Sequence, residues 1–390
     1  MNATKSEWNF KKHRVESEQR LLKLHLVQAE QGDSFILEFA KGTEKCCILI
    51  DGGPSDIFEI HLRTKLEAIR NEGGLLDLVV LSHVDGDHIT GLLDLFAKVE
   101  EQRTNQTTET IAITKLWHNS FDKTIGSGND IAARLANLIA TAGILGPSMS
   151  LAGLASSGIE DGHKLRVLAK KLKIPINPES PDKPISVDNN PEVIELGELK
   201  IRIVGPTDSN LKKLEKKWTD WLDNNEALVA ALDPNVTAMV DRSVPNLSSI
   251  MFIVEADAKK ILFTGDARGD HLEDGLQQLN LLKQGENYHV DVLKVPHHGS
   301  DRNATRKFFK TVTADMYIIS ANNRDNNPDL ATLIWIVEAA KEQNRKIEII
   351  VTNETPSTIK IQEEYDPDTY GYTLRTMKKG EHFLSETISP

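Results

Sequence analysis

The sequence predicts a mixed α/β fold in which hairpin strands and strand–helix units are combined in mixed sheets. Short apolar runs rich in β-branched residues, at 75–81 and 290–295, indicate buried strands. Segments whose apolar residues recur every three to four positions, at 89–100 and 330–343, indicate helices. An antiparallel hairpin is indicated at 21–39, so a purely parallel doubly wound sheet does not fit the sequence.

Turn-forming residues delimit the predicted elements. The segment 31–34 (QGDS) separates the two strands of the first hairpin, and Gly52-Gly53 ends the next strand at 45–50. Gly73-Gly74 separates a helix at 57–72 from the buried strand that follows it. The remaining predicted elements are strands at 111–117, 248–255, 260–264, 314–320 and 346–351, and a hairpin at 193–204.

The composition is that of a soluble globular protein. The chain has 390 residues, of which 39% are hydrophobic and 27% are charged. No run of apolar residues is long enough for a transmembrane helix, and the polar start lacks the apolar core of a signal peptide. Cys46 and Cys47 are adjacent on a predicted strand and point to opposite faces, which indicates unpaired thiols in a reducing, cytoplasmic compartment.

The predicted organisation is a polar leader at 1–20 followed by one domain at 21–390. Two helical insertions, at about 119–192 and 207–240, interrupt this domain. The net charge of −12 argues against a protein that coats nucleic acid without specificity. It leaves room for a locally basic groove, or for a metal centre that supplies its own positive charge.

The segment 83–88 (HVDGDH) is a dense set of potential metal ligands. His83, Asp85, Asp87 and His88 follow directly after the predicted strand 75–81. Imidazole nitrogen and carboxylate oxygen suit Zn²⁺ or Mn²⁺. Because unpaired carboxylates are costly beside a core strand, a metal site explains this loop better than packing does.

Three further predicted strands end on residues of the same chemistry. His118, Asp266 and the pair His297–His298 each follow directly after an apolar run. A single histidine at a strand end is usually structural. Four strand ends of this kind, one of them a dense cluster, indicate a shared metal centre.

In these motifs the chain resembles hydrolases of the metallo-β-lactamase fold. The segment 83–88 matches that family's His-x-[His/Asp]-x-Asp-His signature, with Asp85 in the variable position. In detail the chain is similar to the hydrolase domain of ComEC-type DNA-uptake proteins and their free-standing relatives. The motifs that carry this second resemblance are 31–34 (QGDS), 51–53 (DGG), 246–249 (NLSS), 263–266 (FTGD) and 294–300 (KVPHHGS). The resemblance implies a four-layer αββα sandwich, with the leader and the two helical insertions outside the match.

The resemblance also implies two divalent ions, Zn²⁺ or Mn²⁺. The implied ligands of the first ion are His83, Asp85 and His118, those of the second are Asp87, His88 and His298, and Asp266 is shared. His297 is expected to face the substrate phosphate or the leaving group, and the reverse assignment of His297 and His298 stays open. Asp51 either supports a ligand histidine through its second ring nitrogen or belongs to a simple turn.

The implied reaction is hydrolysis. Two divalent ions about 3.5–4 Å apart can share a hydroxide, because metal binding lowers the pKa of water towards ~7. That hydroxide is the expected nucleophile, and Asp85, Asp87 and His297 are the residues expected to take part in catalysis. Asp85 stands where histidine is commoner in the family, and its hard oxygen favours Mn²⁺ somewhat more than an all-histidine site would.

Two residues outside the ligand set are candidates for substrate binding together with His297. Asn327 stands where relatives of the ComEC-like branch have histidine, and it either contacts substrate or belongs to a segment that caps the next helix. Arg268 lies two residues after Asp266, and it either contacts a substrate phosphate or pairs with Asp270.

Two basic stretches in the insertions also have two interpretations each. The segment 163–173 carries five Lys or Arg residues, and it either meets a phosphate backbone or is a solvated helix face. Trp218 and Trp221 follow the lysines of 211–217, and they either stack on bases or pack internally.

The predicted function is that of a metal-dependent phosphodiesterase acting on nucleic acid (DNA or RNA) or on nucleotides. One alternative is a small-molecule phosphoesterase, and another is hydrolysis of a thioester, an amide or a lactam. A third alternative is a catalytic effector subunit that is active only in a multi-protein complex, for example in defence, with the insertions as docking surfaces. No membrane partner is expected.

Overall fold

The computed structural model describes residues 20–119, 152–213, 216 and 248–388, apart from the side chains of 152–160. Within these ranges the chain forms two mixed sheets with helices on both outer faces. The predicted leader up to residue 19, Trp218 and Trp221 lie outside the described residues, as do 120–151 and most of the second insertion. No helix among the described residues is long and apolar enough to cross a membrane.

The first sheet has six strands in the order β14-β1-β2-β3-β4-β5. They are β1 (Arg20–Val27), β2 (Phe35–Lys41), β3 (Glu44–Ile50), β4 (Leu78–Leu81), β5 (Leu116–His118) and β14 (Phe383–Thr387). The pairs from β14 to β3 are antiparallel, whereas β3, β4 and β5 run parallel. This pattern confirms the first hairpin and the mixed character that the sequence predicts.

The second sheet has eight strands in the order β13-β12-β11-β10-β9-β8-β7-β6. They are β6 (Ile194–Leu196), β7 (Leu199–Gly205), β8 (Met251–Ala256), β9 (Lys259–Phe263), β10 (Tyr288–Lys294), β11 (Val312–Ile319), β12 (Ile347–Val351) and β13 (Tyr372–Thr376). The strands from β6 to β9 are antiparallel to their neighbours, and those from β9 to β13 are parallel.

Helices cover the outer face of each sheet. A π-helix (Phe58–Leu62), α1 (Arg63–Asn71), α2 (Gly86–Thr104) and α3 (Ala152–Lys171) accompany the first sheet. The second sheet is covered by α4 (Gly269–Gln278), α5 (Arg306–Thr311), α6 (Leu330–Glu342), α7 (Pro356–Glu364) and α8 (Pro367–Tyr370).

Alternating side chains of the strands build three apolar layers. Leu24 and Leu26 of β1 pack between the sheets with Phe252 of β8. Their neighbour Val27 faces the other way, into the layer that α2 covers with Leu92. Because successive strand residues point to opposite faces, one strand serves both layers. The result is the αββα sandwich that the sequence predicts.

Helix α3 belongs to this sandwich although the sequence places it in an insertion. Its residues Leu165, Ala169 and Leu172 are buried in the layer shared with α2. Lys164 and Lys170 on the opposite face are exposed. Most of the apolar side of the stretch 163–173 is therefore packing surface, whereas its lysines meet solvent together with Val167.

Glu38 joins β2 to α1 through charged contacts on the outer face of the first sheet. One carboxylate oxygen lies 2.6 Å from His25 Nε2 and 2.5 Å from Lys65 Nζ. Burial alone would raise the pKa of Glu38, but the contacts with His25 and Lys65 outweigh burial and lower it from 4.5 to about 2. The ionised Glu38 therefore makes its full contribution to the free energy of unfolding above about pH 4.5, and this contribution is lost as the pH falls towards 2.

We expect Glu38→Gln to flatten the acid limb of the stability profile. Between pH 6 and pH 3 the free energy of unfolding should fall by about 1–2 kcal/mol less in the variant than in the wild type, after allowance for solvent screening. Urea unfolding in the presence of chelator at both pH values measures this difference. Glu59→Gln, which removes an exposed partner of Arg63, serves as the control. Parallel profiles for wild type and Glu38→Gln would contradict the prediction.

Candidate metal centre

The residues that the sequence singles out meet at one edge of the sandwich. Strands β3, β4 and β5 run parallel in the first sheet, and β9, β10 and β11 run parallel in the second. The carboxyl ends of each group therefore lie together. Asp51, His83 and His118 stand at or just after these ends in the first sheet, and Asp266 and His298 do so in the second. His83 Nε2 lies 3.8 Å from Asp266 Oδ2, so the two sheets meet at this edge.

The turns that carry these residues hold unusual backbone conformations. Asp51, His297 and His298 have φ angles of 55°, 48° and 54°, in the left-handed region that residues other than glycine seldom adopt. The backbone N–H of His297 donates to the Gly265 carbonyl at 3.2 Å, which joins the turn after β10 to the turn after β9. Strained conformations of this kind gather at functional sites, because the surrounding structure must enforce them.

Hydrogen bonds fix the ring orientation of two candidate ligand histidines. His88 Nδ1 lies 2.9 Å from Asp51 Oδ2, and His298 Nδ1 lies 2.9 Å from the Ser320 carbonyl oxygen. A carboxylate and a carbonyl only accept hydrogen bonds, so each Nδ1 carries the proton and donates it. In the neutral form of each ring, Nε2 therefore keeps the lone pair that binds a metal ion.

Ser82 gives His83 the same tautomer through a relay. The Ser82 hydroxyl donates to Asp51 Oδ2 at 2.6 Å, so its oxygen is left to accept from His83 Nδ1 at 3.0 Å. The Ser82 backbone N–H also donates to Asp51 Oδ1 at 2.7 Å. Asp51 thus supports two histidines at once, in the position that the sequence analysis proposes for it.

Several buried polar atoms of the centre have no hydrogen-bond partner among the described residues. They are the Nε2 atoms of His83, His88 and His298, and Oδ1 of Asp266. Leaving one such atom unpaired in the interior costs about 1–3 kcal/mol. Divalent cations bound here would satisfy these atoms, so the residues fit the metal ions that the resemblance implies.

Asp266 lies between two groups of ligand atoms. Its Oδ1 is 3.5 Å from His88 Nε2, and its Oδ2 is 3.3 Å from His298 Nε2. Asp87 completes this side, with Oδ2 at 3.6 Å from His298 Nε2. Ligands bonded to one Zn²⁺ at about 2.0–2.2 Å lie about 3.3–3.5 Å apart, so these separations are close to those of a coordinated ion.

The other side of Asp266 holds the ligands expected for the first ion. Asp85 Oδ2 lies 3.6 Å from His83 Nε2, which in turn faces Asp266. His118 is buried at the end of β5, and its strand position is paired with Leu81 of β4, two residues before His83. The side chain of Asp85 is 32% exposed, so the centre opens to solvent on this side.

The electrostatics of the centre attract positive charge. Burial alone would lower the pKa of His298, but Asp266 and Asp33 outweigh burial and raise it to about 10. Burial would also raise the pKa of Asp266, yet the surrounding histidines hold it well below its usual range. The carboxylates therefore stay ionised and favour positive charge at these rings, and a divalent cation bound at Nε2 would take the place of the proton that they favour there.

A buried ion pair behind the centre was not predicted from the sequence. Lys294 of β10 pairs with Asp33 of the β1–β2 loop, and both side chains are 1% exposed. Lys294 Nζ also donates to the Gly265 carbonyl at 3.0 Å and lies 3.6 Å from Asp266 Oδ1. Burial alone would raise the pKa of Asp33, but Lys294 and His298 lower it to about 2. Asp33 belongs to the QGDS motif and Lys294 to the KVPHHGS motif, and their place in these motifs was the sequence feature that could have revealed them.

Asp33 could itself be taken for a ligand, because Asp33, His88, Asp266 and His298 place ligand atoms within 4.8 Å of one another. However, Asp33 Oδ1 faces His298 Nδ1 at 3.4 Å, and Asp33 Oδ2 faces His88 Nδ1 at 3.9 Å. These are the ring nitrogens that already donate to Ser320 and Asp51. Asp33 therefore supports the back of the histidines and neutralises Lys294.

The predicted substrate contacts take different positions. The His297 side chain is 30% exposed, and its Nε2 lies 3.6 Å from Asp266 Oδ2. Arg268 forms a two-point pair with Asp270 at 3.0 and 2.9 Å, which was one of its two interpretations. Asn327 is buried, and its carbonyl accepts from the Asn323 N–H at 2.9 Å. Contact of these residues with a substrate stays a prediction.

Helix α3 crosses directly over the ligand His118. A Cβ atom at Gly162 would lie 3.2 Å from Val84 Cγ1 and 3.5 Å from His118 Nε2, so there is no room for a longer side chain here. This close approach places Gly162 of α3 at the border of the candidate metal centre.

Comparison with known proteins agrees with this geometry. Residues 27–145 match the family model of the metallo-beta-lactamase superfamily. The match includes the whole segment 83–88 and His118, and it ends before Asp266. It does not separate the ComEC-like branch from the rest of the superfamily, so that assignment stays a prediction. No curated protein matches the sequence.

Two solved structures are distantly similar to the chain. The metallo-beta-lactamase fold protein YhfI from Bacillus subtilis is 11% identical at a TM-score of 0.40, over 94% of this chain and 99% of that one. A diphosphatase from the PhnP family is 11% identical at a TM-score of 0.35, over 94% and 98% of the two chains.

Proposed function

We propose that the protein is a divalent-metal-dependent hydrolase that cleaves phosphodiesters in nucleic acid or nucleotides. The observation that carries the proposal is the buried set of Nε2 lone pairs around Asp266, each oriented by a hydrogen bond at Nδ1. His83, Asp85 and His118 would hold one ion, Asp87, His88 and His298 the other, and Asp266 both. Bound there, the ions would polarise a phosphoryl oxygen and supply a nucleophilic water at neutral pH.

His297 is suited to handle a proton at the opening of the site. Its Nδ1 donates to Asn303 Oδ1 at 2.9 Å, and Asn303 Nδ2 donates to the Asp266 carbonyl at 3.0 Å. The other ring nitrogen, Nε2, lies 3.6 Å from Asp266 Oδ2, and the side chain is 30% exposed. Burial lowers the pKa of His297 in spite of Asp266, so the ring is neutral at pH 7 and can accept a proton there.

Two features favour a phosphodiester over a lactam. Asp85 adds an oxygen ligand at a position where the family more often has histidine, and oxygen ligands suit Mn²⁺ and similar hard ions. The basic stretch 163–173 starts directly after Gly162, which lies against His118, although Lys164 lies 3.1 Å from Asp161 and Lys171 lies 3.8 Å from Glu100. A basic stretch that starts beside the centre suits a substrate with several phosphates.

The test is hydrolysis with Mn²⁺ or Zn²⁺ across a panel of substrates. The panel holds a bis-aryl phosphodiester, single- and double-stranded DNA, RNA, cyclic nucleotides, a phosphomonoester and a chromogenic lactam, with Asp87→Ala as the blank. We expect cleavage of phosphodiesters that the blank does not show. Preference for the monoester or the lactam would overturn the substrate class, and inactivity with both ions bound would favour a complex-dependent enzyme.

Replacing His297 and replacing His298 are expected to have different effects on metal binding and on kcat. His297→Gln should keep the bound metal and lower kcat by about 10²–10⁴-fold, because only a proton-transfer group is removed. His298→Gln should lose metal, because His298 Nε2 is buried beside Asp266. Metal content by mass spectrometry and kcat on the preferred substrate measure the two effects. The opposite pattern would show that His297 is the ligand.

A further inference from the structure

Two histidines outside the metal centre face each other on the surface of the first sheet. His61 lies on the π-helix Phe58–Leu62, and His382 lies just before β14. Their Nδ1 atoms are 2.9 Å apart and their ring centroids 5.0 Å apart, although 321 positions separate them in the chain. His61 is half-buried and His382 is exposed. No catalytic or ligand role proposed above involves this histidine pair.

We propose that the pair His61–His382 binds a divalent transition-metal ion, of which Zn²⁺ is the representative, separately from the metal centre. Two imidazole nitrogens bonded to one tetrahedral Zn²⁺ at about 2.0–2.1 Å lie about 3.3–3.4 Å apart. The observed separation of 2.9 Å needs only a small rotation of the rings to reach that range. Imidazole is also a preferred ligand of Zn²⁺, Ni²⁺ and Cu²⁺.

The protonation state of the pair is suitable for binding. A single hydrogen bond between two Nδ1 atoms requires one ring to donate and the other to accept, so the accepting ring is neutral. Burial, and then the neighbouring His382, lower the pKa of His61. Near neutral pH His61 can therefore offer a nitrogen lone pair to a cation, and an ion bound at both Nδ1 atoms would require the donating ring to carry its proton on Nε2 instead.

The surroundings favour a cation and leave space for water. The carboxylate of the exposed Glu30 acts on His61 in the direction that favours positive charge. Among the described residues, no third His, Cys or carboxylate places a ligand atom within 4.8 Å of both histidines, which is the spacing seen among Asp33, His88, Asp266 and His298. Water would complete the coordination shell, so we expect weaker binding than at a closed structural site.

An ion at the pair would join segments that also reach the metal centre. The Gln28 N–H donates to the His382 carbonyl at 2.9 Å, and Asp33 lies five residues further along the same loop. Asn322 Nδ2 donates to Glu30 Oε2 at 2.9 Å, which links that loop to the turn after β11. Zinc at the pair would therefore stiffen the loop that carries the Asp33–Lys294 ion pair.

Zinc titration of the full chain, after the metal centre has been saturated, tests this site. We expect one additional, weaker equivalent of Zn²⁺ in the wild type, absent from both His61→Gln and His382→Gln. His289→Gln is the matched control, because His289 is also half-exposed but faces Asp315 and Thr313. Equal zinc stoichiometry in wild type and both pair variants would overturn the proposal.

A second measurement needs no substitution. In the wild type labelled with ¹⁵N-histidine, added Zn²⁺ should shift the Nδ1 resonances of the pair and should leave that of His289 in place. Unchanged resonances of His61 and His382 at saturating zinc would also overturn the proposal. Since neither measurement uses hydrolysis, the outcome is independent of the proposed function.

Discussion

Replacing Lys294 with methionine is expected to lower the free energy of unfolding by about 3–5 kcal/mol. The substitution leaves the Asp33 carboxylate buried without its partner, because both side chains are 1% exposed. It also removes the donor to the Gly265 carbonyl, one residue before Asp266. Urea unfolding at pH 7 in chelator measures the loss without a contribution from bound metal.

The double variant Asp33→Asn/Lys294→Met separates the pair from the rest of the fold. With both charges gone, no buried charge is left without a partner, so the double variant should be more stable than Lys294→Met alone. Glu59→Gln, at an exposed ion pair with Arg63, should change stability by less than about 1 kcal/mol. A Lys294→Met protein as stable as the wild type would refute a supporting role for the pair.

Asp266→Asn is expected to abolish binding of at least one metal ion and to lower kcat/KM by about 10³-fold or more. The asparagine keeps the shape of the side chain but lacks the charge that faces His88 and His298. Metal ions contribute several kcal/mol to transition-state stabilisation, and about 4 kcal/mol corresponds to three powers of ten in rate. Metal content and kcat/KM on a phosphodiester are the two readouts.

Asp315→Asn is the control for this substitution, because Asp315 is exposed and pairs only weakly with His289, at 3.5 Å. It should leave metal content and kcat/KM unchanged. If Asp266→Asn kept its full metal content and rate, a metal centre built around Asp266 would be excluded.

The sequence predicted well those elements whose side chains face the core. The helix expected at 330–343 is observed as Leu330–Glu342, where six of the 13 residues are buried and further apolar side chains pack against the core of the second sheet. By contrast, no element was predicted after residue 351, and yet β13 and β14 lie there. Most side chains of these edge strands are at least partly exposed, so their apolar pattern is weak.

In the candidate site, too, local features were predicted and contacts between distant segments were not. The seven expected ligands lie at or shortly after strand ends, Asp87 and His88 in the first turn of α2, and such a position is a local feature that a single stretch of sequence reveals. The pair Asp33–Lys294 depends on the packing of two sheets, because its members are far apart in the chain and neither is unusual in its own surroundings. Likewise, the hydrogen bond from Arg268 to Asp270 became visible only in the structure.

Strand β14 gives the first sheet an unusual order of assembly. It pairs with β1 along Lys23–Val27, and the Ile388 N–H donates to the Leu22 carbonyl at 2.8 Å. Strand β1 can therefore gain this partner only after all strands of the second sheet have been synthesised. During translation the edge of β1 therefore stays open until the whole second sheet has left the ribosome. The same adjacency makes the molecule a candidate for circular permutation, with a short peptide joining Ile388 to Arg20.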